Sequence, residues 1–241
     1  MYKIQRIEEI DSTNSELKRL ALSGAPSGTA LVADRQTAGR GRMGRAFFSP
    51  AGSGLYMSVL LRPVSLENVG LITTFTAVAV ARALRKHGAD ALIKWVNDLM
   101  LDGKKVCGIL VEGGVYNGQS FAVIGIGINV KSTAFPEELA DIATSLEQIA
   151  GKAPTPMALA EDILAELEAV APHAPLDPLA LMDEYRRLSC TVGHPVRVRP
   201  FDGQEYDAVA TAVEDDGSLT VLTADGQSHR VFSGEVSVRP I

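Results

Sequence analysis

The chain has 241 residues, enough to bury a hydrophobic core in one large domain or in one medium-sized and one small domain. Its 46% hydrophobic and 22% charged residues are typical of a globular protein and exclude wholesale disorder. The formal net charge of −6 argues against DNA or RNA as the main partner, because phosphate backbones attract basic surfaces.

The cysteine content and the apolar segments limit the compartment. Cys107 and Cys190 are too few for a disulfide framework, and neither belongs to a C-x-x-C pair. The charged start lacks the apolar run of a signal peptide, and no stretch is long and apolar enough to span a membrane. We therefore expect a soluble, cytoplasmic protein that has no membrane partner.

The first predicted helix lies in "DSTNSELKRLALSG". Ser12, Thr13 or Asn14 can cap its start, and Gly24 ends it. The next segment, "GTALVAD", has the composition of a strand.

This strand leads into "TAGRGRMGR", residues 37–45, which contains three glycines and three arginines. The segment fits G-x-G-x-x-G, but a dinucleotide site needs a helix directly after that motif, and here a loop and the predicted strand "SGLYMSVLLRP" follow. The P-loop pattern fails because Arg45-Ala46 stands where Lys-Ser/Thr is required. A solvated basic turn is one interpretation. The alternation of glycine and arginine favours another, a mobile loop that orders when it closes over a carboxylate or a phosphate.

The longest helix is predicted over residues 67–87, and the strand "ALIKWVND" follows it. Two hairpins come next. Asp102-Gly103 and Asn117-Gly118 both stand between strand-like runs, and these pairs supply the positive φ angles that two-residue hairpin turns require.

A second polar cluster surrounds the first of these hairpins. Lys94, Asn97 and Asp98 stand at the end of the predicted strand, and the hairpin would fold Lys105 back towards them. An amine and a carboxylate could then face one ligand. Asp98 would be placed to hold Mg²⁺, which binds through one or two carboxylates together with substrate phosphates. Gly108 weakens its strand unless a ligand or another backbone approaches it closely.

The segment "GIGIN" ends the second hairpin. Gly125 and Gly127 remove side chains from a strand and leave a flat floor on which a ring system could lie. Asn129 ends the strand with a side chain that can donate or accept a hydrogen bond.

The remaining chain consists of a helical part and a part with short strands. Helices are predicted at about 136–150, 155–171 and 177–189. From Cys190 onward, short strands alternate with turn residues, which is typical of a small β-barrel. We therefore predict two domains, residues 1–189 and residues 190–241.

Taken in order, six motifs resemble those of the biotin protein ligases. They are "STN" at 12–14, "QTAGRGRMGR" at 36–45, "KWVNDL" at 94–99, "GKKVCGILVE" at 103–112, "GIGIN" at 125–129 and "GEVSVR" at 234–239. The pattern covers nearly the whole chain. Val96 and Phe47 depart from it, because the family often has proline and tryptophan at these places, and the barrel has no clean match to the family's adenine-stacking aromatic residue.

The resemblance implies an α+β fold, with a mixed central β-sheet flanked by helices as in class II aminoacyl-tRNA synthetases, and a small SH3-like C-terminal β-barrel. It also implies a stand-alone ligase without the N-terminal DNA-binding domain of some members. The implied reaction is ATP-dependent. Biotin is activated to biotinoyl-5′-AMP and transferred to a lysine of a biotin carboxyl carrier protein domain, with ATP and Mg²⁺ as co-substrate and ion and no tightly bound redox or metal cofactor. The edge strand of the sheet leaves a homodimer open.

The family's contacts fall on these positions by resemblance. The biotin contacts are Ser12, Thr13, Asn14, Gln36, Gly39, Arg40, Gly41, Arg42, Lys105, Gly108 and Gly125. The nucleotide contacts are Arg42, Arg45, Lys94, Asn97, Asp98, Asn129 and Arg239. Among them, Lys105, Arg42 and Asp98 are the expected catalytic residues, with Asp98 as the metal ligand.

One alternative uses the same catalytic architecture. A lipoate–protein ligase would differ in its substrate, and an octanoyltransferase would need a nucleophilic cysteine or lysine and no ATP. Cys107 is near the second cluster, but we expect it to contribute to packing.

Overall fold

The computed structural model describes residues 2–65, 69–132, 135–170, 178–200, 204–232 and 235–238. The helices are α1 Thr13–Ala21, α2 Val69–Lys86, α3 Glu137–Ala140, α4 Leu146–Ala150, α5 Pro156–Val170 and α6 Pro178–Leu188. The strands are β1 Lys3–Ile10, β2 Thr29–Gln36, β3 Gly54–Leu61, β4 Leu92–Lys94, β5 Asp98–Leu101, β6 Lys104–Tyr116, β7 Gln119–Asn129, β8 Pro195–Arg199, β9 Tyr206–Val213, β10 Leu219–Thr223, β11 Ser228–Val231 and β12 Glu235–Val238.

Within the described residues, seven strands form a mixed sheet in the order β1-β2-β3-β7-β6-β5-β4. β1 and β2 are parallel, and the other pairs are antiparallel. Strand side chains alternate between the two faces of a sheet. Ala30 and Val32 of β2 therefore lie in the large core that contains α2 and α5, while Leu31 packs in a second cluster with Leu17 of α1. Helices thus cover both faces.

The C-terminal strands form a second, antiparallel sheet in the order β11-β10-β9-β8-β12. Its inward residues Val196 and Val198 belong to the same hydrophobic cluster as the core of the large sheet. The indole N–H of Trp95 donates a 2.9 Å hydrogen bond to the carbonyl of Gly217. Trp95 is therefore a core residue that joins the two sheets. The division at residues 189 and 190 stays a prediction.

The predicted hairpins are confirmed. Asp102 and Gly103 have φ angles of 48° and 75°, and Asn117 and Gly118 have φ angles of 49° and 74°. The helices predicted at 67–87, 155–171 and 177–189 correspond to α2, α5 and α6 within two residues at each end. None of the helices in the described ranges combines the length and the apolarity that crossing a bilayer requires.

Two predictions were wrong. The strand "ALIKWVND" ends at Lys94, and Asp98 begins the next strand opposite it, so the polar cluster flanks a turn and does not end one strand. The helix predicted at about 136–150 is two short helices, α3 and α4. Residues 142–144 between them bond to β6 instead: Lys105 N donates to Ile142 O at 2.8 Å, and Thr144 N donates to Lys105 O at 2.9 Å.

One element was missed. β1 lies at the edge of the sheet, and its isoleucines Ile4, Ile7 and Ile10 stand three positions apart, so the alternation that indicates a strand is absent.

Candidate active site

The floor of the site is the C-terminal half of β7. Phe121 and Val123 point to the face that α1 covers and are buried there. Gly125 and Gly127 follow on the same face, because residues two apart in a strand share a face. In the sheet, Gly127 pairs with Tyr56 of β3 on one side and with Gly108 of β6 on the other. Where the helix cover ends, the glycines therefore leave a depression.

The start of α1 forms one wall of this depression. Ser12 caps the helix by accepting a hydrogen bond from Ser15 N. The next residue, Thr13, directs both its backbone N–H and its hydroxyl at Gln36 Oε1, at 2.8 and 3.1 Å. Gln36 Nε2 donates to Ser49 Oγ at 3.0 Å, which fixes the orientation of the amide. The cap and the end of β2 thus present an ordered set of polar groups.

Asn14 lies directly above the floor. Its Oδ1 accepts a 2.6 Å hydrogen bond from Ser58, and its Nδ2 donates to the carbonyl of Leu110 at 3.2 Å and to Glu112 Oε2 at 3.0 Å. A Cβ at position 125 would lie 2.8 Å from Asn14 Cγ, so Gly125 is required for this close approach. Both amide hydrogens of Asn14 already have protein acceptors.

The arginine loop closes the top of the depression. A backbone bridge joins Arg40 to Ala46, and a 3₁₀ turn spans Arg42–Gly44. At the end of the loop, Phe47 lies over the glycines, since a Cβ at position 127 would be 2.6 Å from Phe47 Cε1. Phe47 therefore supplies the apolar contact that holds the loop against the floor. The strand after the loop, with no helix of the dinucleotide-binding type, confirms that the G-x-G-x-x-G reading does not apply.

The loop arginines contact opposite sides of the site. Arg42 Nη1 donates to Asn97 Oδ1 at 2.8 Å, at the turn between β4 and β5. Arg40 Nη1 lies 3.3 Å from Glu112 Oε1 on β6. The loop is therefore attached to two separate parts of the sheet.

The ammonium group expected at the site is present. Lys105 Nζ lies 2.7 Å from Asp98 Oδ1, and Asn97 Nδ2 donates to the same oxygen at 3.1 Å. The backbone of Lys105 is held by residues 142–144, so its side chain starts from a fixed point. The hairpin at Asp102-Gly103 thus brings the amine and the carboxylate together as predicted.

Many of these groups line one open pocket. Eleven of the predicted site residues line it: Ser12, Thr13, Asn14, Gln36, Arg40, Gly41, Arg42, Asn97, Lys105, Gly108 and Gly125.

The other predicted residues lie around this pocket or outside the description. Gly39 packs behind it, because a Cβ there would be 2.5 Å from Ser49 Oγ. Asn129 donates through its amide to Thr144 O at 3.0 Å. Lys94 lies opposite Asp98 in the backbone pairing of β4 with β5, and Arg45 ends the 3₁₀ turn. Arg239 lies outside the described residues.

The fit of a divalent cation depends on Asp98. In the described ranges, no group of three or more His, Cys, Asp or Glu side chains could hold a metal ion. A single carboxylate does fit Mg²⁺ that keeps water and substrate phosphates as its other ligands. The Asp98 carboxylate therefore fits an ion that arrives with a nucleotide.

The cysteines do not supply a nucleophile. Cys107 is fully buried, and this burial raises the pKa of its thiol far above the usual range. Burial also raises the pKa of Cys190. A thiol must ionise to attack an acyl group, so neither side chain suits acyl transfer.

Sequence reasoning missed three polar residues of the site. Ser49 and Ser58 orient Gln36 and Asn14, and Glu112 contacts Asn14 and Arg40. Glu112 is the last residue of the motif "GKKVCGILVE", so the sequence marked it as a candidate. Its role could not be predicted, because its partners Asn14 and Arg40 are far away in sequence.

Two models of known protein families match this chain. The model of the biotin/lipoate A/B protein ligase family matches residues 7–129, and that of the biotin protein ligase C-terminal domain matches residues 191–239. The chain belongs to the biotin protein ligase family. The family and the α+β fold class predicted from the motifs are confirmed.

Relatives within the biotin protein ligase family cover most of the chain. The bifunctional ligase/repressor BirA of Bacillus subtilis is 37% identical over 238 residues, which are 95% of this chain and 72% of that protein. The biotin--[acetyl-CoA-carboxylase] ligase of Mycobacterium tuberculosis is 35% identical over 238 residues, 95% of this chain and 86% of that protein.

A solved structure of the family has the same fold. The biotin protein ligase of Aquifex aeolicus in complex with biotin and ATP has a TM-score of 0.83 and 31% identity, and the match covers 99% of both chains.

Proposed function

We propose that this chain is an ATP-dependent biotin–protein ligase that activates biotin to biotinoyl-5′-AMP and transfers biotin to a lysine of a carrier protein domain. The observation that carries the proposal is that Arg40, Arg42 and Lys105 line the same glycine-floored pocket as the polar groups of Thr13 and Gln36. The Mycobacterium tuberculosis relative is named as a biotin ligase, and the Aquifex aeolicus ligase has been solved with biotin and ATP, which favours biotin over lipoate.

The two ends of the pocket suit the two ends of biotin. Thr13 and Gln36 offer hydroxyl and amide groups to the polar ring head, and the glycine floor leaves room for the flat rings. Lys105 and the loop arginines would contact the valerate carboxylate. Gly39, Gly41 and Gly108 shape the backbone around this ligand.

The difficulty of the first step is that two anions must meet. A carboxylate oxygen of biotin attacks the α-phosphorus of ATP, a new O–P bond forms, and pyrophosphate leaves. Lys105, Arg40 and Arg42 would hold carboxylate and phosphate oxygens together and stabilise the negative charge that builds between them. Positioning and electrostatics carry this step, because the chain is not required to form a covalent bond.

The second step consumes the mixed anhydride. The neutral ε-amine of the carrier lysine attacks the acyl carbon, an amide bond forms, AMP leaves with the electrons of the broken C–O bond, and the amine proton passes to solvent. The arginine loop excludes water from the anhydride before the carrier arrives. Closure of the loop therefore protects the intermediate.

The nucleotide half of the site is assigned by chemistry. Arg42, Arg45 and Lys94 would contact the phosphates, and Asn97 and Asn129 would contact the nucleotide by hydrogen bonding. Asp98 would hold Mg²⁺, an ion that neutralises phosphate charge when it is bound.

We further propose a cytoplasmic location, where the protein would meet a carrier domain. We also propose that two chains pair through the edge strand β1.

The test is a substrate panel. Purified protein is incubated with ATP and Mg²⁺ and with biotin, lipoate or octanoate, and native mass spectrometry and AMP release are recorded. We expect biotin, and neither lipoate nor octanoate, to give a retained adenylate and, once a purified carrier domain is added, release of AMP and transfer to that domain. Adenylate formed only with lipoate, or acyl transfer without ATP, would overturn the proposal.

A further inference from the structure

Glu112 occupies a position between the wall and the roof of the site. It lies on β6 opposite Val123, and its side chain is only 17% exposed. Asn14 Nδ2 donates to its Oε2 at 3.0 Å, and Arg40 Nη1 lies 3.3 Å from its Oε1. The Glu112 side chain is not among the pocket-lining groups, so it acts through these two partners.

The contact with Asn14 fixes the wall. Asn14 is 4% exposed, and its amide bridges Ser58, Leu110 and Glu112 above Gly125. A buried amide that loses one acceptor must turn or leave a hydrogen unpaired. Glu112 therefore determines the orientation of a group in direct contact with the ligand space.

The contact with Arg40 fixes the roof. A guanidinium has five N–H donors in a rigid fork, so Arg40 can serve Glu112 and a ligand anion at the same time. Arg40 is 48% exposed, so its ion pair with Glu112 contributes little stability. The ion pair nevertheless fixes the position of the Arg40 side chain. The carboxylate thus joins the loop to the same residue that orients Asn14.

We propose that Glu112 is a positioning residue that couples closure of the arginine loop to the biotin-binding wall. The proposal rests on the proposed ligase function. Its central expectation is that the charge of Glu112 holds Arg40, while its hydrogen-bond acceptor holds Asn14. The two roles are separable, because glutamine has an acceptor oxygen and no charge.

The experiment compares Glu112→Gln and Glu112→Ala with the control Glu9→Gln. Glu9 also pairs with an arginine, Arg35, at 2.9 Å, but on the exposed outer strands. For each variant we would measure the melting temperature, KM for biotin, and the leak of biotinoyl-adenylate as labelling of free amines. The leak is also measured for Glu112→Gln in an Arg40→Met background.

We expect Glu112→Gln to raise the leak roughly three- to tenfold with KM for biotin changed less than about twofold. Glu112→Ala should raise both quantities, and Glu9→Gln neither. In the Arg40→Met background, Glu112→Gln should add less than about twofold to the leak. An unchanged leak in Glu112→Gln, or an equal increase in both backgrounds, would overturn the coupling.

Failure of the function itself would look different. In that case the unmodified protein would retain no biotinoyl-adenylate, and no leak could be compared. If the unmodified protein retains the adenylate and Glu112→Gln behaves identically, only the role of Glu112 is wrong. Because glutamine matches glutamate in size, this comparison stands even where Glu112→Ala does not fold.

Discussion

Lys105 Nζ and Asp98 Oδ1 lie 2.7 Å apart, across a hairpin whose turn is Asp102-Gly103. The ammonium group of the pocket is thus paired with a carboxylate of the protein. An incoming phosphate or carboxylate can take over this ammonium, and Asp98 then becomes available to a divalent cation. In the proposed ligase, this one pair would serve both the anion contact and the metal contact.

Lys105→Ala should impair the first step most strongly. Removal of one preorganised charge costs on the order of 3 kcal/mol in the transition state, roughly a hundredfold in rate. Pyrophosphate release with biotin and ATP measures this step. The control is Lys104→Ala, since Lys104 donates to the carbonyl of Ala140 on the surface. Equal rates for the two variants would contradict the assignment.

Asp98→Asn should change the dependence on magnesium. The amide keeps the size of the side chain but loses the charge that binds a hard cation. We expect pyrophosphate release to need about tenfold more Mg²⁺ for half-maximal rate. Titration of the activity with MgCl₂ measures this shift, and an unchanged midpoint would remove Asp98 as metal ligand.

Arg42→Ala should let the intermediate escape. The side chain joins the loop to Asn97 at 2.8 Å, and loss of a charged hydrogen bond weakens closure by about 1.5–3 kcal/mol, roughly tenfold or more in leak. Promiscuous labelling of an added non-carrier protein is the measurement. Arg35→Ala on β2, whose partner Glu9 is exposed, should leave the labelling unchanged.

Gly125→Ala should distort the wall of the pocket. The added methyl would lie 2.8 Å from Asn14 Cγ, so Asn14 must move and lose its hydrogen bonds. We expect weaker biotin binding, by about tenfold in Kd by calorimetry, and a cost of about 1–3 kcal/mol in stability. Gly70→Ala on α2 is the matched control, because among the described residues its methyl would meet only Asp216 O, at 3.5 Å.

Acid should weaken the helical layer through Glu184. The hydrogen bond from Arg82 lowers the pKa of Glu184 from its usual 4.5. The unfolded chain then binds a proton that the folded chain does not, so this stabilisation is complete above pH 4.5 and is lost as the pH falls through the lower folded pKa. Urea unfolding gives the free energy of unfolding at each pH between about 3 and 6. This free energy should rise less steeply with pH in Glu184→Gln and in Arg82→Met than in the unmodified protein. Parallel slopes would contradict this.

Local patterns predicted much of the fold. The Asp-Gly and Asn-Gly pairs tolerate the positive φ angles that two-residue hairpin turns require, and α2, α5 and α6 carry enough apolar residues at helical spacing to be recognised alone. The split of the segment at 136–150 could not be predicted this way. Its middle residues bond to the backbone of Lys105, a tertiary contact that outweighs local helix preference.

The sequence by itself determined the chemical inventory of the site: the arginines and glycines of the loop, the lysine and aspartate beside the hairpin, and the glycines of β7. Only the tertiary structure decided which of them meet. Asn14 and Glu112 are 98 positions apart, yet a hydrogen bond joins them because strand pairing brings β6 and β7 beneath the start of α1. Local residue preference has no information about such pairing, since the register of the strands in the sheet determines which residues lie beside one another.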